Sequence, residues 1–326
     1  MIVARSPLRL SLGGGGTDLK SYYSIEEGYL VAGAINKYVY VAIHEPFINE
    51  IILKYSEIEN VKNIKEIKHD IFREGLNLYE KDVKKIEITS FADIHAGTGL
   101  GSSSTFTNSL IAALFARKNI FLNKEEIARK SCNLEIEILN EPIGKQDQYI
   151  SAYGGIREFT FKKDGSVKEN LIFEDCTEYK EFSDNLVLVY TGTSRSASNI
   201  LKDQKEKTEN LNDEMLKNLN KTKEIGRLSK RLIISKHYEE YGRLMHEHWQ
   251  NKKRRSKGMS NNQIDEIYNY GLRNGGNGGK VIGAGGGGFI LFQSSDTQKL
   301  KTMLKKKSLQ VVDFEFTNTG TEIIKL

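Results

Sequence analysis

The chain commits itself at residues 94–105, where Ile-His-Ala-Gly-Thr-Gly-Leu-Gly-Ser-Ser-Ser-Thr joins a strand-like run to a helical one. Ile86, Ile88 and Phe91 precede the junction as apolar positions, and Phe106, Leu110, Ala113 and Leu114 follow it at helical spacing. Gly97, Gly99 and Gly101 have no Cβ, so backbone N–H groups between them can close on an anion. Ser102, Ser103, Ser104 and Thr105 then open the helix, where unpaired N–H groups and the dipole favour negative charge. A loop with these parts is expected to hold phosphate, and the hydroxyls are natural contacts for that phosphate or its metal.

Better-known phosphate loops do not fit. A Walker A sequence needs a Gly, four residues, then Gly-Lys-Ser/Thr. Here Gly144-Lys145 and Gly279-Lys280 are followed by Gln146 and Val281. Protein-kinase signatures of the HRD and DFG type are absent. Gly283, Gly285 and Gly288 satisfy G-x-G-x-x-G, yet Phe289-Ile290-Leu291-Phe292 after them reads as a strand, where a dinucleotide site needs a helix.

Length and composition set the frame. With 326 residues, 38% hydrophobic and 28% charged, the chain has room for two domains with separate cores. No apolar run approaches the roughly 18 residues of a membrane span. Residues 1–16 carry an arginine within their apolar stretch and do not read as a signal peptide. Cys132 and Cys176 make no metal spacing, which suits a reducing cytoplasm. A net charge of +5 would suit an anionic substrate, but without a concentrated basic face it argues for no nucleic-acid partner.

Pattern changes organise the rest. Strands are expected at residues 2–5, 38–44, 51–55 and 83–90, with one helix near 69–79. After the helix at 103–117, Asn123 with Glu126 three residues on makes a capping-box start for a second helix, which Pro142 stops. A short helix at 147–153 and a hairpin around Asp164-Gly165 come next. A buried-type strand is expected at 186–190, then long polar helices from about 196 to 274. Strands and helices fall in blocks, so the expected class is α+β, divided as 1–178 and 179–326.

Three glycine clusters stand far apart, at 13–16, 97–101 and 285–288; each is either a tight turn or a place where backbone meets ligand. Asp147, just past the break at Pro142, is placed to project a carboxylate into a cleft, unless it is an ordinary helix N-terminal Asp. Lys145 would help to keep it ionised if the two were close. Glu135 adjoins Leu134 on the inner stripe of the preceding helix, and Glu137 competes with it for any role.

These segments together resemble the GHMP kinases, the superfamily of galactokinase, homoserine kinase, mevalonate kinase and phosphomevalonate kinase. The matching stretches are residues 6–19, 96–105, 142–148 and 280–292, in family order and spanning nearly the whole chain. Within the superfamily the chain is most similar to the heptose 7-phosphate kinases, with L-fucose kinase domains close by. The resemblance implies a ribosomal protein S5 domain 2-like N-terminal domain and a ferredoxin-like C-terminal domain. It implies ATP over Gly97, Thr98, Gly99, Leu100, Gly101, Ser102, Ser103 and Ser104, and Mg²⁺ held by Ser103 and Glu135. Asp147 matches the catalytic Asp and Arg9 the arginine beside it. Gly15, Gly16, Thr17, Asp18, Gly144, Gly286 and Gly287 fall in the substrate-binding motifs, with Asp18 on sugar hydroxyls. Galactokinases carry Gly-Glu-His before that Thr-Asp; Gly14-Gly15-Gly16 here argues against galactose.

The implied activity is transfer of phosphate from ATP to the anomeric hydroxyl of a heptose 7-phosphate, with another sugar 1-kinase as the alternative. A catalytically silent sensor on the same fold is a second alternative, which Asp147 and Glu135 oppose. A phosphorylated substrate needs cations away from ATP, and the basic run at 252–255 and the Thr193-Ser194-Arg195 segment offer two sets. Arg195 and Lys253 are the expected contacts. Monomer and homodimer both remain compatible with the sequence.

Overall fold

The computed structural model describes residues 1–193, 198–256 and 258–325. Arg195 and Lys257 lie outside the described residues.

Two sheets organise the molecule. The larger has eight strands: β1 (Ile2–Gly13), β2 (Gly28–His44), β3 (Ile51–Lys54), β4 (Ile58–Val61), β5 (Ile86–Ala92), β6 (Ile156–Phe161), β7 (Val167–Leu171) and β12 (Glu322–Lys325). Its main order is β12-β1-β2-β5-β3-β4, with β6 joining a further stretch of β2 and β7 joining β6. The smaller sheet holds β8 (Leu186–Tyr190), β9 (Gly278–Val281), β10 (Phe289–Gln293) and β11 (Val311–Val312), in the order β11-β8-β10-β9. All pairs are antiparallel except β3 with β5.

Strand β1 runs eight residues beyond the expected 2–5, and that extension builds the site. Leu8, Leu10 and Leu12 are fully buried in the core, while Arg9 and Ser11 alternate to the opposite face and line a cleft. The β1–β2 register shifts between Pro7 and Arg9, the kind of irregularity that re-aims a side chain beside a functional site. The Ser102–Arg117 helix packs on β1 and β2 and is buried on almost every side, so it lacks an amphipathic stripe. Two of its inward polar groups tie it to neighbouring elements: Ser109 Oγ meets Ser6 Oγ at 2.7 Å, and Asn108 Nδ2 donates to Gln148 O at 2.8 Å.

A boundary at 178/179 divides the two sheets only in part. β12, from the far end of the chain, pairs with β1, and Phe316 forms a bridge with Ile35. The Asp213–Ile234 helix packs on β1 and β2, where Gly226 and Gly14 meet backbone to backbone. The second core, under the smaller sheet, gathers Val187, Trp249, Ile264, Tyr268, Phe292 and Leu300.

Candidate active site

The glycine loop has the shape its sequence asks for. Gly97, Gly99 and Gly101 adopt φ of 79°, 81° and 83°, and no side chain caps the helix that starts at Ser102. The first-turn N–H groups therefore face outward unclaimed. Leu100 contributes only backbone: its side chain is in the core and its carbonyl accepts from Arg9 N at 3.0 Å. Thr98 turns its hydroxyl to His95 O. The third glycine cluster backs onto this loop, with Gly288 against Thr98 and the preceding Gly283 against Gly99.

Asp147 sits in the first turn of the Gln146–Tyr153 helix, one quarter exposed. Arg9 clamps it with two hydrogen bonds, Nε to Oδ1 at 2.8 Å and Nη2 to Oδ2 at 2.7 Å, and sends Nη1 to Gly99 O. Gln146 Nε2 also donates to Oδ1 at 2.9 Å and is fixed in turn by Ser11 Oγ at 2.8 Å. The cation beside Asp147 is Arg9 and not Lys145, whose Nζ is bound to Gly165 O at 2.6 Å.

Glu135 is 1% exposed, while its competitor Glu137 is half exposed and pairs with Lys20. The cause is a π-helical turn, Asn133–Ile138, that follows the Lys124–Cys132 helix and shifts the register. Ser103 Oγ donates to Glu135 Oε1 at 2.8 Å and Gln148 Nε2 to Oε2 at 2.7 Å. Burial pushes the Glu135 carboxyl up to about 7, against the pull of these hydrogen bonds. No cation pairs with it among the described residues, and Ser102 Oγ nearby in the chain is buried without a partner. A carboxylate and hydroxyls without a counter-ion are the hard oxygen donors that Mg²⁺ takes. No three His, Cys, Asp or Glu residues converge among the described residues, so phosphate oxygens and water would have to complete the shell.

Asp18 accepts from Gly16 N at 2.9 Å and Gln146 N at 3.1 Å, and burial raises its pKa. Gly144 is required beside it, since a Cβ there would fall 1.9 Å from Asp18 Oδ2. Gly15 and Gly16 line the cleft with Asp18 and Gly144. Four expected contacts lie outside the lining. Thr17 spends its hydroxyl on Gly14 O and Tyr29 O, both at 2.9 Å, as a turn lock. Gly286 donates to Met259 O and Gly287 abuts Thr193, so Gly283 and Ala284 form that part of the lining instead. Lys253 faces Asp265 at 3.6 Å and the Trp249 ring, away from the cleft.

What faces the cleft from that side is Lys252, Arg255 and Lys280, with His248. His248 and Lys252 are one helical turn apart on the Tyr238–Lys253 helix, and Lys280 reaches in from β9. The basic run singled out in the sequence supplies Lys252 and Arg255 to the lining in place of the expected Lys253, and Lys280, in an apolar strand context, carried no signal in the sequence.

An anion-binding helix start beside an arginine-held carboxylate is the equipment of a phosphotransferase acting on a small hydroxylated molecule. Comparison gives the same class. The family described as GHMP kinases N terminal domain matches residues 63–155, and GHMP kinases C terminal matches 229–307. The D-glycero-alpha-D-manno-heptose 7-phosphate kinase of Campylobacter jejuni is 30% identical over 98% of both chains. The L-fucokinase/L-fucose-1-P guanylyltransferase of Bacteroides fragilis is 27% identical over 91% of this chain and 35% of its own length. A crystal structure of a D-glycero-D-manno-heptose 1-phosphate kinase from Bacteroides thetaiotaomicron superposes with a TM-score of 0.81 at 24% identity, covering 100% of this chain and 99% of that one. The chain belongs to the GHMP kinases, two-domain enzymes that take phosphate from ATP. No described helix is long and apolar enough to cross a membrane.

Proposed function

We propose that this kinase phosphorylates the anomeric hydroxyl of D-glycero-D-manno-heptose 7-phosphate, giving the 1,7-bisphosphate, on a cytoplasmic route to nucleotide-activated heptose. The observation that carries the reading is the Asp147 carboxylate, held in plane by Arg9 at the junction of the glycine loop and a cleft whose far wall is cationic. Near-full-length similarity to the Campylobacter heptose 7-phosphate kinase supports the choice of sugar.

Each residue then has a task. Asp147 takes the proton from the attacking hydroxyl, and Arg9 holds that carboxylate aimed through its two hydrogen bonds. Asp18 accepts hydrogen bonds from sugar hydroxyls while Gly15, Gly16 and Gly144 leave it room. The loop from Gly97 to Ser104 cradles phosphate on N–H groups, and Glu135 with Ser103 would hold Mg²⁺. When bound, ATP supplies the phosphoryl group and Mg²⁺ offsets charge on its oxygens. Product identification from a panel of phosphorylated and plain sugars tests the reading. Turnover of L-fucose or plain heptose, with none of heptose 7-phosphate, would overturn it.

A further inference from the structure

Four cations and two carboxylates line the cleft, and their pairing is uneven. Arg9 is spent on Asp147. Lys252, Arg255 and Lys280 are 8%, 4% and 3% exposed, and no carboxylate pairs with any of them among the described residues. Lys252 Nζ donates to Val281 O and Gly283 O, and Arg255 to Gly15 O, Asn218 Oδ1 and Thr222 Oγ1. Among the described residues, Lys280 Nζ has only the ring nitrogen of His248, at 3.3 Å. Trp249, in the same wall, buries its indole N–H without a partner.

Buried charge without a counter-ion is costly, and a fold keeps it where a ligand supplies the opposite charge. We infer that Lys252, Arg255 and Lys280 form a built receptor for the phosphomonoester dianion of the acceptor sugar, so that the enzyme selects phosphorylated over plain sugars. The inference rests on the substrate reading above and says which groups enforce it. An uncharged sugar forfeits the charge compensation that a dianion supplies, so the affinity difference favours the phosphorylated substrate. Asn218 and Thr222, from the Asp213–Ile234 helix, position Arg255. The ionisation state of the cluster fits a receptor that waits for charge. Burial, then Arg255 and Arg9, pulls the Lys280 ammonium down to about 7, and Lys252 lies well below its ordinary value through burial, Lys280, Arg255 and Arg9. His248 is held neutral by burial and by Lys280, Arg255 and Lys252, and Asp18 pulls the other way on Arg255. A dianion settling among them should draw protons onto the lysines.

The experiment uses the full chain as wild type, Lys280→Met, Lys252→Met and Lys280→Arg. Each is first saturated with Mg²⁺ and a non-hydrolysable ATP analogue, so that the glycine loop is filled. Calorimetric titration follows with heptose 7-phosphate, plain heptose and inorganic phosphate, in buffers of different ionisation heat at pH 8. Wild type should bind the sugar phosphate with proton uptake, and inorganic phosphate more weakly at the same place. Each Met variant should lose roughly 10- to 100-fold of affinity for both, with less proton uptake, while the analogue's affinity stays within about twofold. Lys280→Arg should recover part of the loss. Unchanged affinity in both correctly folded Met variants overturns the receptor, as does a parallel fall in affinity for the ATP analogue, which would assign the cluster to the nucleotide. Turnover of a different sugar phosphate in place of heptose 7-phosphate, with Lys280-dependent binding intact, would overturn the substrate reading and leave the receptor standing, whereas turnover of plain sugars alone would overturn both.

Discussion

The two walls of the cleft handle buried charge in opposite ways. On the wall made by β1 and the Gln146–Tyr153 helix, the cation has a counter-ion and the carboxylates have donors: Arg9 pairs with Asp147, and Asp18 accepts from two backbone N–H groups. On the facing wall Lys252, Arg255 and Lys280 meet carbonyls, an amide, a hydroxyl and an imidazole, but no carboxylate. A satisfied wall holds reacting groups in place before substrate arrives, which is what phosphoryl transfer asks of a protein. An unsatisfied wall is complete only with its ligand. Position and selection are thus separated across the cleft, and variants on either side should fail in different ways.

The largest effect belongs to the satisfied wall. Asp147→Asn should leave the circular dichroism spectrum unchanged and lower kcat by roughly 10²–10⁴-fold. Turnover close to wild type would remove Asp147 from the chemistry.

Glu135→Gln comes next. Activity at limiting Mg²⁺ should fall more than at saturating Mg²⁺, and an equal fall at both would dissociate Glu135 from the metal. A second readout needs no turnover. The folded carboxyl sits near 7 against an ordinary 4.5, so the native state binds the extra proton between those values. Stability of the metal-free protein is therefore fully present below about 4.5 and is lost as pH rises through about 7. Melting curves of wild type should drop across that window relative to Glu135→Gln, by on the order of 1–3 kcal/mol; parallel curves would contradict a buried, unpaired Glu135.

The unsatisfied wall should reverse the usual sign of a core substitution. Lys280→Met removes an unpaired buried cation, so the unliganded variant should melt about 2–4 °C higher at neutral pH. The folded Lys280 ammonium lies near 7 against an ordinary 10.5, so this advantage should shrink as pH rises across that interval. A lower melting temperature would mean that the cation is compensated after all. The smallest effect is reserved for its neighbour in sequence. Lys253→Ala should change KM for either substrate by less than about twofold, because that side chain faces Asp265 in a half-exposed pair. A tenfold rise in KM for the sugar phosphate would redraw the wall.

Local signals in the sequence carried far. The Asn123–Glu126 capping box forms with both reciprocal hydrogen bonds, since its parts lie within one turn and need no tertiary help. β8 spans the whole apolar run 186–190, with little competing signal at either end. The glycine loop with its following helix was legible for the same reason. Features set by remote partners were not. β1 reads as a strand only to Arg5, because beyond it the alternation of Leu8, Leu10 and Leu12 with Arg9 and Ser11 merges into glycines and points to two different interiors. The π turn that buries Glu135 leaves no local mark, and a uniform helical period cannot separate Glu135 from Glu137. At the end of the Tyr238–Lys253 helix, Lys252 and Lys253 differ by about 100° of rotation, and only packing on β9 decides which faces the cleft.

The strand that carries Arg9 is flanked on one side by β2 and on the other by β12, which pair with it at Ile2 to Arg5. Some three hundred residues separate β1 from β12, so the ribosome releases β1 long before its second partner. Until then the outer edge of β1 presents bare N–H and C=O groups, a template for any extended segment that drifts past. The sheet beneath the Arg9–Asp147 pair is therefore sealed only after the strands of the second sheet have emerged, and the nascent chain must carry its open edge until then.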